Sequence, residues 1–352
     1  MYGKYIYGII ITDSEAVLDI SGLGGSSPVY TIAHQDISCV VSNYFGKEFS
    51  SMSKEELVRC LLAHQLVVEQ VMTEHTVLPV KFGMVLTTSD EVRDLLSQGR
   101  SQFLSALGWI QDKVEVEVAS TWDRGQVLQE ISTEPEIMCA REAIANRLGQ
   151  TLEERIHLGQ MAKASMDRRR DSYQERMISF LKPVAIDVQP NALVSDEMVM
   201  NVAFLVKRAN QAEFDSRVRQ LNDLFHNQIN FRIIGPLPPY SFATVEVTRP
   251  SLEKIEEARQ LLGLGEVISE LEVRRSYRRL AAETHPDRKP GGEIAKTWFV
   301  KLRQASELLI AYCREQAESS GNFLINIRRS TTDGVQYLRF AQIGGVAGAT
   351  HG

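Results

Sequence analysis

The chain has 352 residues, too many for one ordinary core, so two or three domains are expected. Its composition, 43% hydrophobic and 24% charged, argues against a disordered or fibrous chain. A net charge of -6 argues against a chain-wide electrostatic grip on nucleic acid, and no nucleic-acid partner is expected. The cysteines Cys39, Cys60, Cys139 and Cys313 lie far apart with no C-x-x-C pair, which suits free thiols in a reducing cytoplasm. The apolar start is preceded only by Lys4 and broken by Asp13, so it reads as a strand rather than a signal peptide. No uncharged apolar stretch approaches the roughly 18–20 residues of a membrane span, so a soluble, cytoplasmic protein with no lipid-membrane contact is expected.

The first 122 residues read as α+β. Short β-branched and aromatic runs at Tyr5–Ile11, Val29–Ala33 and Ile37–Asn43 are separated by turns rich in Gly and Ser. A helix follows from Ser53, an N-cap with Glu56 three residues on, and its apolar residues Leu57, Leu61, His64, Val68 and Val71 recur at helical spacing. Val77–Leu86 reads as one strand with Pro79 near its start, where a missing N–H is tolerated. A second helix is expected over Ser89–Leu107, then a half-buried strand over Val114–Thr121.

Glu134-Pro135 marks a break, followed to about Leu181 by one long helix or a helical pair. Its basic triplet Arg168, Arg169 and Arg170 reads as a solvated face. Val184–Val188 and Met198–Val206 read as strands. Glu213–Phe225 reads as a helix with Phe214, Val218, Leu221 and Phe225 spaced by three or four. Phe231–Ile234 and Ser241–Val247 return to β, joined through Gly235-Pro-Leu-Pro-Pro239, and this unit is compact enough for a ferredoxin-like sheet. From Ser251 to about Ser320 the pattern is helical, and Phe323–Arg328 with Val335–Phe340 reads as a hairpin around Thr332-Asp-Gly334.

The sharpest motif is His285-Pro286-Asp287. Before it, Val273, Tyr277, Leu280, Ala281 and Thr284 share one helix face, and Arg274, Arg275, Arg278 and Arg279 form a basic stripe on the rest. Pro286 stops that helix. After a Lys289-Pro-Gly-Gly292 loop, a second helix from about Ile294 is expected to bury Trp298, Leu302, Ala305 and Leu309. Residues 251–320 resemble a J-domain. The resemblance implies that His285, Pro286 and Asp287, with the basic face of Arg274, Arg275, Arg278 and Arg279, engage an Hsp70 chaperone and trigger its ATP hydrolysis. Arginine forks suit an acidic partner surface because they can hold carboxylates bidentately. Gly265-Glu-Val-Ile replaces the usual turn pattern before the second helix.

A second resemblance covers roughly residues 5–249. Leu78-Pro-Val-Lys-Phe-Gly-Met84, the strand Asn201-Val-Ala-Phe-Leu-Val206 with its following Phe214 helix, and Ile234-Gly-Pro-Leu-Pro-Pro-Tyr-Ser-Phe242 occur in that order. They resemble the gas vesicle protein F and L (GvpF/GvpL) family. The signature positions are Pro79, Phe82, Gly83, Asn201, Gly235, Pro236, Pro238, Pro239, Tyr240 and Phe242, which the resemblance assigns to structure or partner contact. Gly235 permits an unusual backbone angle, the prolines stiffen an extended turn, and Tyr240 and Phe242 read as packing anchors before contact residues.

Together these readings give an α+β fold with two sheet-plus-helix domains, the second ferredoxin-like, an added all-helical J-like hairpin module and a terminal β-hairpin. The expected boundaries are 1–135, 136–182, 183–250, 251–320 and 321–352. No catalytic constellation is visible. Gly22-Leu-Gly-Gly25 lacks the strand-to-helix setting of a phosphate cradle and reads as a turn, and no His/Cys/Asp/Glu grouping has metal-ligand spacing. No enzyme activity, cofactor or metal is expected. The family resemblance implies an assembly factor, located in the cytoplasm and on gas vesicles. Its partners would be the apolar shell subunit GvpA, other gas vesicle accessory proteins and Hsp70. The rival readings are a general J-domain co-chaperone with an unrelated client and a small-molecule-binding regulatory domain.

Overall fold

In the computed structural model, residues 2–25, 27–145, 151–225, 228–248, 252–265, 268–284, 292–318 and 323–329 are described. The chain clusters into two units, Met1–Trp109 with Thr244–Arg328, and Ile110–Ala243 with Arg329–Gly352. It is a mixed α+β protein with two sheet-containing regions, a helical region toward the C-terminus and a small two-stranded sheet near the end.

The first sheet is built from β1 (Tyr2–Ile11), β2 (Val17–Ser21), β3 (Pro28–His34) and β4 (Ile37–Phe45), which pair antiparallel in the order β2-β3-β4-β1. β2 has no clear strand alternation in sequence; it lies at the sheet edge, where its residues alternate between exposed and half-buried. Helix α1 (Lys54–Met72) begins as expected: Ser53 Oγ accepts from Glu56 N–H, and the Glu56 carboxylate accepts from Ser53 N–H. Val77–Leu86 does not form one strand. It forms β5 (Val77–Pro79) and β6 (Val85–Leu86), both on β1, because Gly83 takes φ +93° between them and turns the chain. Helix α2 (Ser89–Ile110) buries Val92, Leu95, Leu96, Phe103, Ala106 and Leu107.

The second unit starts with β7 (Lys113–Trp122), followed by α3 (Arg124–Ile131), α4 (Pro135–Ala145) and α5 (Leu152–Leu181). Then come β8 (Asp187–Pro190), β9 (Met198–Lys207), α6 (Gln211–Leu224) and β10 (Ile229–Leu237). The sheet is wholly antiparallel in the order β10-β7-β9-β8. Its connectivity is β-α-β-β-α-β, that of a ferredoxin-like unit. Its first strand is β7, which the sequence grouped with the strands before it. Val114, Val116 and Val118 of β7 and Val202, Phe204 and Val206 of β9 alternate onto one face. They share a core with Met177 and Leu181 of α5 and Phe214, Val218 and Leu221 of α6. Pro135 does not break the fold here; it opens α4, where a missing N–H costs nothing. Arg168 is exposed, but the rest of the triplet is not a solvated face. Arg169 pairs with Glu130 and Glu134, while Arg170 pairs with Asp167 and lies 5.4 Å over the Trp122 ring.

The chain returns to the first unit through β11 (Ala243–Thr248), where Val80 and Val245 form a parallel bridge and Lys81 N–H donates to the Val245 carbonyl at 2.8 Å. Helices α7 (Leu252–Leu261), α8 (Glu270–Thr284) and α9 (Gly292–Glu318) follow. They share a core of Ile255, Ala258, Leu262, Val273, Leu302, Ala305 and Leu309. Trp298 is 40% exposed rather than buried. It lies one turn before the buried run of α9, so helical spacing alone overestimated how far the covering helices reach. The last strand, β12 (Leu324–Arg329), pairs with β11. The expected second arm of its hairpin, Val335–Phe340, lies outside the described residues.

His64 of α1 shows how polar groups are built into the first core. Its Nδ1 is hydrogen-bonded to the Tyr5 hydroxyl at 2.9 Å, and its ring stacks on Tyr7 and meets Phe82 edge-on. Burial lowers its pKa to about 3 from an ordinary 6.5, so it is neutral in the folded protein. The unfolded chain binds this proton between those two values and the folded chain does not. The group therefore costs stability as the pH falls below 6.5, by about 1.4 kcal/mol per pH unit. His64→Gln should destabilise at neutral pH, and denaturant titrations should show its deficit against the parent shrinking between pH 6.5 and 4. A deficit constant across that range would contradict a buried neutral imidazole.

Candidate functional site

The first candidate surface is the outer face of α8. Val273 is fully buried and Tyr277, Leu280 and Ala281 pack against the three-helix core, which turns Arg274, Arg275, Arg278 and Arg279 outward. All four arginines are exposed. Arg274 is held by Glu270 at 2.6 Å and Arg279 approaches Glu283 at 3.6 Å, each one helical turn away. Arg275 and Arg278 make no ion pair among the described residues, so their guanidinium forks are the two most available to an outside carboxylate. His285, Pro286 and Asp287 lie outside the described residues.

The second candidate is the turn from Gly235 to Phe242. Gly235 has φ +144°, and a Cβ there would sit 2.9 Å from the Glu115 carbonyl oxygen, so the position requires glycine. The peptide to Pro236 is cis. The β10–β7 register shifts between Ile234 and Leu237. Pro238 and Pro239 are buried, Tyr240 is half-buried and Phe242 is fully buried, as a packing anchor would be. The Pro239 carbonyl accepts from both Phe242 N–H and Ala243 N–H, closing the turn.

This turn is fastened by a residue the sequence reading did not single out. Glu115 of β7 is 1% exposed; one carboxylate oxygen accepts from Ser241 N–H at 2.7 Å and the other from Ser241 Oγ–H at 2.5 Å. The available signal was the alternation Val114-Glu115-Val116-Glu117-Val118, which puts two carboxylates on one face of what proves to be an interior strand. Charge-assisted bonds of this kind are each worth about 1.5–3 kcal/mol, enough to offset part of the cost of burying the carboxylate.

The remaining signature positions are not brought to this turn. Pro79 is buried on β5 against Gly8, Phe82 joins the Tyr5, Phe49 and His64 rings, and Gly83 N–H donates to the Tyr5 hydroxyl. Asn201 of β9 donates from Nδ2 to the Ala192 carbonyl and ties down the segment before its own strand. Residues 22–25 form a turn in which Gly24 and Gly25 have positive φ, and Leu23 N–H donates to the Tyr7 hydroxyl. Among the described residues no group of three or more His, Cys, Asp or Glu side chains could hold a metal ion.

Comparison with known proteins matches the chain in two stretches. The family described as gas vesicle synthesis protein GvpL/GvpF matches residues 3–244, and the DnaJ domain matches residues 259–316. The chain belongs to the GvpL/GvpF family. Gas vesicle protein F of Streptomyces sp. (strain CB03234) is 29% identical over 244 residues, covering 68% of this chain and 98% of that protein. The crystal structure of the gas vesicle protein GvpF from Anabaena sp. PCC7120 superposes with a TM-score of 0.60 at 25% identity, covering 68% of this chain and 98% of that one. The DnaJ-related protein spj1 of Schizosaccharomyces pombe is 41% identical over 51 residues, 14% of this chain and 13% of that protein. This GvpL/GvpF member therefore carries a C-terminal DnaJ domain beyond the family match. No helix among its described residues is long and apolar enough to cross a membrane.

Gly235→Val should cost about 1–3 kcal/mol, because the side chain meets the Glu115 carbonyl and the backbone angle disfavours any L side chain. Chemical denaturation should show that loss. Arg275→Glu, on an exposed face, should leave stability within about 0.5 kcal/mol. A Gly235→Val protein as stable as its parent would mean that the turn does not depend on this contact.

Proposed function

We propose that this protein is a gas vesicle assembly factor that binds the apolar shell subunit GvpA, keeps it from aggregating and helps nucleate the vesicle. Residues 251–320 act as a module that brings Hsp70 to the same client. The mechanism is binding, with ATP hydrolysis carried out by Hsp70. One observation supports this reading above the others: a single chain holds nearly the full length of an F-type gas vesicle protein and, after it, a J-domain whose basic face points outward with two arginines unpaired among the described residues. A small apolar subunit exposes surface and strand edges that invite self-association before it joins a shell. A protein that holds it and also summons a chaperone addresses both the solubility and the hand-over.

Two measurements test the two halves. Co-expression with the shell subunit should move that subunit into the soluble fraction in complex with this chain; a subunit that remains insoluble sinks the client assignment. Separately, the chain should stimulate the Hsp70 ATPase, and His285→Gln should abolish that stimulation with helical content intact. Reversing Arg275 and Arg278 to Glu should weaken the Hsp70 contact, and so should salt, since exposed charges are screened beyond about 8 Å at physiological ionic strength. Full stimulation by His285→Gln would contradict the recruiting role.

A further inference from the structure

The described chain beyond α9 packs back onto the first unit. Its next described residue, Phe323, is 1% exposed, and its backbone is gripped by one side chain 225 positions earlier: Gln98 Nε2 donates to the Phe323 carbonyl at 2.6 Å, and Phe323 N–H donates to Gln98 Oε1 at 3.2 Å. An amide side chain that satisfies both backbone groups of one residue does the work of a neighbouring strand. From Phe323 the segment runs as β12 on β11, with Ile325 and Ile327 half-buried and Asn326 exposed between them. Gly99 leaves the room for this: a Cβ there would lie 2.8 Å from Ile325 Cδ1 and 2.4 Å from the Phe103 ring.

The position of this strand in the chain matters as much as its contacts. The family match ends at residue 244, just inside β11, so the helices α7–α9 and β12 all lie beyond it. Three residues separate Thr248 from Leu252, and four separate Glu318 from Phe323. At about 3.3–3.6 Å per residue these links are too short to let the helices roam while both strands are paired.

We propose that the β11 edge, together with Gln98 and Gly99 of α2, is a strand-acceptor site for an extended apolar segment. The segment it fits has an aromatic anchor followed by alternating aliphatic residues. In this protein the site is filled by the chain's own Phe323–Arg329, and the J-domain is thereby held as an insertion anchored at both ends rather than as a tail on one tether. A foreign extended segment enters the site only by displacing β12, and its entry frees one end of the J-domain.

The test uses the full-length chain and a labelled synthetic peptide of residues 321–330. In the parent protein the amides of Thr244–Thr248 should exchange slowly with solvent and the peptide should not bind. In Phe323→Asp those amides should exchange about tenfold faster or more, and the added peptide should bind and restore their protection. Should Phe323→Asp fail to fold, Gln98→Ala removes only the backbone grip and should shift exchange the same way by a smaller factor. Three results would overturn the proposal: unchanged β11 exchange in the variants, equal peptide binding by parent and variant, or a concentration-dependent dimer of the parent in which the strand comes from a second copy.

Discussion

A carboxylate buried on an interior strand fixes the course of this chain. A buried carboxyl needs hydrogen-bond donors, and the backbone N–H and hydroxyl of Ser241, far along the sequence, both donate to Glu115. On the way to Ser241 the last residues of β10 shift register on β7 at Gly235, which has a backbone angle and a clearance that no larger residue shares. β10 ends at Leu237, and β11, which begins at Ala243, is the strand that the helical addition follows and that β12 later joins.

Features fixed by neighbours in sequence were legible from sequence. The capping box of Ser53 and Glu56 lies within one helical turn, and the buried run of Phe214, Val218, Leu221 and Phe225 follows from helical periodicity alone. The outward arginines of α8 follow from the same arithmetic, since the apolar residues between them had to face the core. That Gly235 permits an unusual backbone angle was legible too, whereas the need for glycine there comes from the Glu115 carbonyl that folding brings against it.

Features that depend on distant partners were not. Nothing in Lys113–Trp122 shows that it joins β9 and β10 rather than the strands before it, because strand alternation specifies a face and not a neighbour. The same limit hid the pairing of β12 with β11. Charge runs misled for a related reason: Arg169 and Arg170 look solvated in sequence, yet Glu130, Glu134 and Trp122 come from elements brought to them only by folding. Glu115 gives no local sign of its partner, because acidic residues alternating in a strand usually face water and Ser241 is brought to it only by folding. Trp298 shows the opposite error, an apolar residue in register with a buried face but beyond the packed length of the helix.

The account stands or falls on whether one chain joins the gas vesicle client to Hsp70. The direct measurement is retention of Hsp70, in the presence of ATP, on immobilised shell subunit, with this protein present or absent. The account predicts Hsp70 retention only when the protein is present. With His285→Gln the Hsp70 signal should be lost while the protein itself stays bound to the subunit. Retention of Hsp70 without this protein, or unchanged retention with His285→Gln, would contradict it.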